Sequence, residues 1–347
     1  LSEEHPDTLR SVSDLASLYE KQGKLIEAES LLIKTLDARR RALGEVHFNT
    51  LTSISSLASI YRKQNKKTEA ELLLKNTLET NRRLLGEEHP DTLAIISDLA
   101  WLYVGQDKLT EAEPLLTKVL EVNRRVMGEA HPDTLSSLSD LAWLYENQGK
   151  LTKAEALHTK ALEQRRQLMG KKHTDTISAL SRLAFFFKNQ QKWEAAEPLF
   201  AEEMELRRKH GVKQDADFAA AAASLGAVRS SMKHYAEAEA PLREALSVLK
   251  ELNPDNWLLL CSESRLGDVL LKLNRLDEAG PLLRSGYKGL SDQFATIPAP
   301  EQPELAFAAE RLADLAKAKG DEAEASKWTA LAAELRQEIS KKPEPKK

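Results

Sequence analysis

Cysteine, aromatic residues and long apolar runs are all scarce in this sequence. Its 347 residues hold one cysteine, Cys261. No disulfide can therefore form within the chain, and the redox setting it fits is a reducing one. No apolar run approaches the ~20 residues that a membrane-spanning helix needs, and no signal-peptide pattern is present. Aromatics make up 5% of the chain. Neither sign of charge dominates: 50 Lys and Arg stand against 54 Asp and Glu, a net charge of -4. Dedicated nucleic-acid binders are usually basic, so that class is disfavoured. No Ser/His/Asp or Cys/His set stands in a supporting local context, and Cys261 reads as an inert helix residue. The chain also lacks an initiator Met. It opens on Leu1-Ser2, which aligns with later dipeptides such as Leu43-Gly44, and a piece cut from a longer protein is expected.

What is abundant is Ala, Leu, Glu, Lys and Arg, a balance that favours helix. It is also periodic. His5-Pro6-Asp7-Thr8 recurs as His89-Pro90-Asp91-Thr92 and His131-Pro132-Asp133-Thr134, with degenerate copies at His47-Phe48-Asn49-Thr50 and His173-Thr174-Asp175-Thr176. Successive copies are 42 residues apart. Such a period identifies an array that grows by adding units.

Each unit reads as two helices. Proline suits the first helical position, where its missing N–H would be unpaired anyway, and Asp in the first turn complements the helix dipole. Leu15, Ala16, Leu18 and Tyr19 follow at helical spacing. After a turn at Gln22-Gly23-Lys24, a second helix carries Ala28, Leu31, Leu32 and Leu36 and stops at Leu43-Gly44, where glycine can cap. Ala16 and Ala28 have equivalents at Ala58 and Ala70, Ala100 and Ala112, Ala142 and Ala154, and Ala184 and Ala196. Side chains this small let paired helices approach closely. Later units drift: Gly226 with Ala238, Gly267 with Ala279 and Ala313 with Ala325 keep the separation. The tyrosine position is lost there, and an insertion around Ser291 to Gln302 precedes the last hairpin. About eight hairpins are counted, and the part from about residue 253 is expected to open first.

Leu99-Ala100-Trp101-Leu102-Tyr103 with Glu111-Ala112-Glu113-Pro114-Leu115 resembles the tetratricopeptide repeat. The box Gly128-Glu129-Ala130-His131-Pro132-Asp133-Thr134 is similar to that of its kinesin-light-chain-type subclass. The ending, Ile297-Pro298-Ala299-Pro300 with Leu305 to Trp328, also resembles the C-terminus of bacterial proteins in which such an array follows a eukaryotic-like Ser/Thr kinase domain. No Gly-rich loop, His-Arg-Asp or Asp-Phe-Gly occurs here. The resemblance implies an all-α, right-handed superhelical solenoid. The expected organisation is an array over 1–337, with regular 42-residue repeats over 1–252 and degenerate ones over 253–337. A disordered tail is expected over 338–347.

Three residue columns invite chemistry. His5, His47, His89, His131 and His173 fall at helix starts. Stacking would hold them roughly 10 Å apart, too far to share a zinc ion. Arg40, Arg82, Arg124, Arg166 and Arg208 could bind phosphates or pair with Asp37, Glu79, Glu121, Glu163 and Glu205, each three residues earlier. The third column follows from the resemblance, in which first helices line a groove. Its ninth consensus position reads Ser17, Ser59, Trp101, Trp143, Phe185, Ala227, Asp268, Asp314. Its sixth reads Asp14, Ser56, Asp98, Asp140, Arg182, Ser224, Arg265, Arg311. The three aromatics either form a ladder facing a partner or pack against the next hairpin.

The resulting expectation is a non-catalytic, cytoplasmic scaffold that binds a protein or peptide through Trp101, Trp143, Phe185, Asp98, Asp140, Arg182, Asp14 and Arg265. No cofactor, metal, membrane or obligate small molecule is expected. A substrate-recruiting region of a bacterial Ser/Thr kinase is the alternative, and nucleic-acid binding by the arginine column is a third reading.

Overall fold

The structure is a computed structural model that describes residues 5–209, 215–252 and 256–341. Among these residues there are sixteen α-helices and no strand. They pair as eight hairpins: α1 (Pro6–Lys21) with α2 (Leu25–Leu43), α3 (Phe48–Lys63) with α4 (Lys67–Leu84), α5 (Pro90–Val104) with α6 (Leu109–Met127), and α7 (Pro132–Asn147) with α8 (Leu151–Met169). The series continues with α9 (Thr174–Asn189) and α10 (Trp193–Lys209), α11 (Ala216–Ser231) and α12 (Tyr235–Leu252), α13 (Trp257–Lys272) and α14 (Leu276–Asp292), and α15 (Pro303–Ala318) and α16 (Glu322–Lys341). Two short 3-10 turns, Phe294–Thr296 and Ala299–Glu301, occupy the insertion. The chain divides into two compact units, 1–157 and 158–345, and the division falls within α8.

The repeated box works as a helix start. In all five copies the histidine Nδ1 accepts a backbone N–H from two residues on, at 3.2 Å. This supplies one of the acceptors that a helix N-terminus lacks. The threonine ties the box to the preceding hairpin: Thr50, Thr92 and Thr134 donate to the carbonyls of Gly44, Gly86 and Gly128 at 2.7–2.8 Å. Those glycines have φ near +90°, a conformation that side chains disfavour.

Within each hairpin the turn closes on the tyrosine. Lys24, Lys66, Lys108 and Lys150 donate their N–H to the carbonyls of Tyr19, Tyr61, Tyr103 and Tyr145 at 2.8–2.9 Å. Their ammonium groups lie 5.4–5.6 Å from the centres of the same rings. Lys66 also reaches back to Glu29 at 2.6 Å, and Lys150 to Glu113 at 2.6 Å. One lysine thus closes its own turn and clamps the preceding hairpin.

The small residues sit at the helix contacts. Ala28, Ala70, Ala112 and Ala154 are completely buried. In the second unit a β-carbon on Gly267 would lie 2.7 Å from Leu283 Cγ, and one on Gly286 would lie 2.8 Å from the Ser264 backbone nitrogen. Here α13 and α14 approach so closely that only glycine fits. The packing of α13 on α14 is close despite the drift in sequence after 253. The insertion is seated too: Ile297 is buried with Leu260, Cys261, Leu290, Leu305 and Ala308. Of the expected tail, 338–341 are helical, as the last turn of α16, because half-buried Leu335 and Ile339 continue its apolar stripe. The remainder lies outside the described residues.

Candidate functional site

In the first unit, Trp101 on α5 and Trp143 on α7 come together. Their ring centres are 5.0 Å apart and the planes are tilted by 52°. Both side chains are half-buried, so neither ring is wholly absorbed by packing. Beside Trp101 is a concavity of roughly 400 Å³ lined by Ser55, Ala58, Ser59, Arg62, Leu74, Asp98 and Leu102. Ser55 donates to Asp98 Oδ2. Burial pushes the Asp98 carboxyl up, and the Ser55 hydroxyl and the Arg62 charge oppose that rise without cancelling it. A second concavity, of roughly 320 Å³, is lined by Asp91, Ser97, Asp133, Ser136, Ser137 and Asp140 among others. Asp14 is exposed on α1.

The second unit places its expected residues differently. Phe185 is 36% exposed, packs edge-on against Phe200 at 5.1 Å, and has the Lys188 ammonium 5.2 Å from its centre. Arg182 is exposed nearby on α9. Arg265 is not a free groove cation. It donates to buried Glu304, which also receives Arg311 at 3.2 Å. Burial alone would raise the Glu304 carboxyl, but the two guanidinium groups outweigh it and hold it down to about 2. Arg265 and Arg311 thus fasten α13 to α15, and the acid they share stands in neither consensus column. Lys272 is similarly engaged with Asp314 at 2.9 Å.

The other columns resolve as structure. The histidines are helix caps, and among the described residues no group of three or more His, Cys, Asp and Glu could hold a metal. The arginines are paired, but mostly not with the acids three residues earlier. Arg40 meets Glu45 at 2.9 Å, Arg82 meets Glu87 at 2.8 Å, Arg124 meets Glu129 at 3.5 Å and Arg166 meets Glu202 at 2.5 Å. Only Arg208 uses the expected partner, Glu205 at 3.0 Å, and it shares itself with Glu244. In the first three the partner is the glutamate just after the glycine that ends the helix, and Arg166 instead reaches Glu202 of α10. Phosphate contact would have to displace these pairs. Cys261 is completely buried, and burial pushes its thiol up to about 12, which removes it as a nucleophile.

Sequence reasoning missed Ser55 and Arg62, which line the concavity with ninth-position Ser59. Ser55 stands four residues before Ser59 and Arg62 three after it, so both share the face of the ninth-position column. It also missed the residues one before the arginine column. Arg39 donates to the Asn49 carbonyl at 3.0 Å and to Ser53 at 2.6 Å. Asn123 donates to the Asp133 carbonyl at 3.4 Å and to Ser137 at 2.9 Å. The 42-residue period was the available signal.

A profile described as tetratricopeptide repeat matches residues 7–80, 103–167, 145–209 and 175–251. No curated protein matches the chain. Among solved structures, BtubC (BKLC) from P. vanneervenii is 22% identical with a TM-score of 0.60, over 66% of this chain and 92% of that one. A putative kinesin light chain with nearly identical repeats from Podosopora anserina is 25% identical with a TM-score of 0.50, over 61% of this chain and 99% of that one. A signal-transduction ATPase with a repeat sensor from Pyrococcus horikoshii is 18% identical with a TM-score of 0.65, over 84% of this chain and 43% of that one. No helix among the described residues is long and apolar enough to cross a membrane.

Proposed function

This chain belongs to the tetratricopeptide repeat family, with neighbours of the kinesin-light-chain type, and from that premise we propose that it is a non-catalytic scaffold whose first helices bind a peptide or a partner helix. The fold is one that generally serves protein interaction. The observation that carries the reading is the Trp101–Trp143 pair, two large rings left half-exposed in contact with each other beside a polar concavity. Exposed aromatic clusters are costly unless something covers them, and binding energy concentrates in a few central aromatics.

The test is a binding partner recovered with the wild-type chain and titrated against variants. Trp101→Ala and Trp143→Ala are each expected to weaken binding by roughly 1–3 kcal/mol while the thermal unfolding midpoint stays close to wild type. A large drop in that midpoint, with affinity unchanged in the folded fraction, would assign the rings to hairpin packing instead.

A further inference from the structure

The concavity beside Trp101 lies within the first unit, and α3, α4 and α5 supply its lining. Several of the polar groups around it are already committed. Ser59 turns its hydroxyl to Glu20 of α1 at 3.4 Å, and Glu20 is held by Lys63 at 2.9 Å. Ser55 donates to Asp98 Oδ2, which leaves the other oxygen, Oδ1, to accept from elsewhere. Arg62 is exposed and lines the same concavity. Its charge acts on Asp98 through space, but no ion pair joins the two among the described residues. One guanidinium and one carboxylate oxygen therefore share the space without bonding to each other.

That combination selects a ligand chemistry. A guanidinium only donates, and an ionised carboxylate only accepts. A cationic side chain entering here would gain Asp98 but meet Arg62, and an anionic one would meet the reverse. A carboxamide suits both, because its carbonyl accepts from Arg62 while its NH2 donates to Asp98. Depth favours a side chain over main chain. Ser55 and Ala58 are small, and the concavity reaches between the first helices to Leu74 of α4. An extended peptide main chain would lie above that level, whereas a side chain can enter. The pairing is also particular to this junction. The positions equivalent to Arg62 and Asp98 are Glu20 and Ser56 between α1 and α3, and Val104 and Asp140 between α5 and α7.

We propose that the concavity between α3 and α5 is a specificity pocket for a glutamine or asparagine side chain of the partner peptide, held between Arg62 and Asp98 and against the Trp101 ring. This rests on the peptide-binding reading of the same face and adds the chemistry of one anchor residue. Selectivity follows from what a wrong residue leaves behind: an apolar side chain would strand both polar groups, and a charged one would strand one and repel the other.

The experiment selects random linear peptides displayed on phage against the full chain and, in parallel, against its Arg62→Ala variant, then measures synthetic copies by fluorescence anisotropy. The expected result is glutamine or asparagine enriched at one position on the wild-type chain and not on the variant. Changing that peptide residue to glutamate should weaken binding roughly tenfold, since it then meets the Asp98 charge. Asp98→Asn should restore the glutamate peptide, a rescue that a merely structural role for Asp98 would not produce. Melting curves confirm that Arg62→Ala and Asp98→Asn remain folded, and the asparagine keeps an acceptor for Ser55. Enrichment in acidic or basic residues at that position would overturn the carboxamide assignment while leaving the groove in use. So would peptides that need Trp101 but tolerate Arg62→Ala. Peptides indifferent to Trp101 as well would overturn the groove reading, and failure to enrich any sequence would count against the carboxamide assignment.

Discussion

The two units carry the same hairpin and fasten it by different means. In the first, one set of small devices recurs: a histidine cap, a threonine bond to a glycine carbonyl, a buried Arg39 or Asn123 bonded across the hairpin junction, and a lysine lying on a tyrosine while clamping a glutamate. In the second, from α11 onward, these are replaced piecemeal. Asp215 and Asn256 cap α11 and α13, Arg229 meets Glu197 and Arg275 meets Glu239 at 2.8 Å in place of the lysine clamp, and glycines bring α13 and α14 nearly into backbone contact. Buried ions appear as well: Ser181 and Arg207 hold Glu203, and Arg265 with Arg311 holds Glu304. A decayed consensus in this array marks substituted fastenings rather than missing ones.

The strongest way to break that comparison is to remove the buried acid. Glu304→Ala would leave Arg265 and Arg311 without their shared partner, and breaking a buried pair costs about 4 kcal/mol. Because repeat arrays open locally, hydrogen exchange over α13 and α15 should show the loss while α1 to α6 are unmoved. The pH dependence has a definite sign. The Glu304 carboxyl lies at about 2 instead of its ordinary 4.5. Its stabilisation is complete above 4.5 and is lost as pH falls toward 2. The stability gap between wild type and Glu304→Ala should therefore close over that interval. A gap that is constant with pH would mean that the contact is packing and not charge.

Next in size is the close approach of α13 and α14. Gly286→Ala would push a β-carbon to 2.8 Å from the Ser264 nitrogen and 2.9 Å from the Leu260 carbonyl oxygen. Backbone cannot swing aside as a side chain can, so about 3 kcal/mol is expected. In the first unit the corresponding injury takes a larger residue. Ala112→Leu, at a fully buried methyl, should cost about 2 kcal/mol by overpacking. Denaturant titration followed by exchange in each hairpin would rank the two. If wild-type α13 and α14 amides exchange faster than those of α5 and α6, the substituted fastenings are weaker after all.

Much of this architecture was legible in the sequence, and the reason is periodicity. A 42-residue period placed the first six hairpins, the paired small residues Gly267 with Ala279 and Ala313 with Ala325 placed the last two, and the histidine box marked the first five hairpin starts. Alanine at two fixed positions marked the helix contacts, and the column bearing Trp101 and Trp143 followed from the resemblance to the repeat family. What stayed hidden was partner choice between columns. Arg40 could reach Asp37 or Glu45 with equal plausibility on paper, and only the turn after Gly44 brings Glu45 nearer. Arg265 read as a groove cation because its partner, Glu304, lies beyond the insertion and in no repeated column. The division within α8 has no mark in the sequence, since hairpins on both sides of it keep the same box.

The smallest expected effect concerns the turn inside each hairpin, where one residue always takes positive φ. In the first unit Gly23 and Gly149 fill this position at +75° and +70°, and Asn65 and Asp107 at +61° and +62°. These are the residues that tolerate the left-handed region best. In the second unit Asn274 and Gly320 fill it at +61° and +78°, but Gln191 and Lys233 fill it at +57° and +63°, with longer side chains that gain nothing there. The N–H that follows is committed in either case: Lys150 donates to Tyr145, and His234 donates to Arg229, both at 2.9 Å. The conformation is therefore held by the turn rather than chosen by the residue. Gly149→Ala should cost about 1 kcal/mol, because alanine pays the left-handed penalty that glycine avoids. Lys233→Gly should do the opposite. Relief of that penalty slightly exceeds the extra freedom glycine has in the unfolded chain, for a gain of about 0.5 kcal/mol. Slower exchange of the α11 and α12 amides in Lys233→Gly would locate a remaining weakness of the second unit in its turns. Faster exchange would show that Lys233 contributes a contact which its backbone strain conceals.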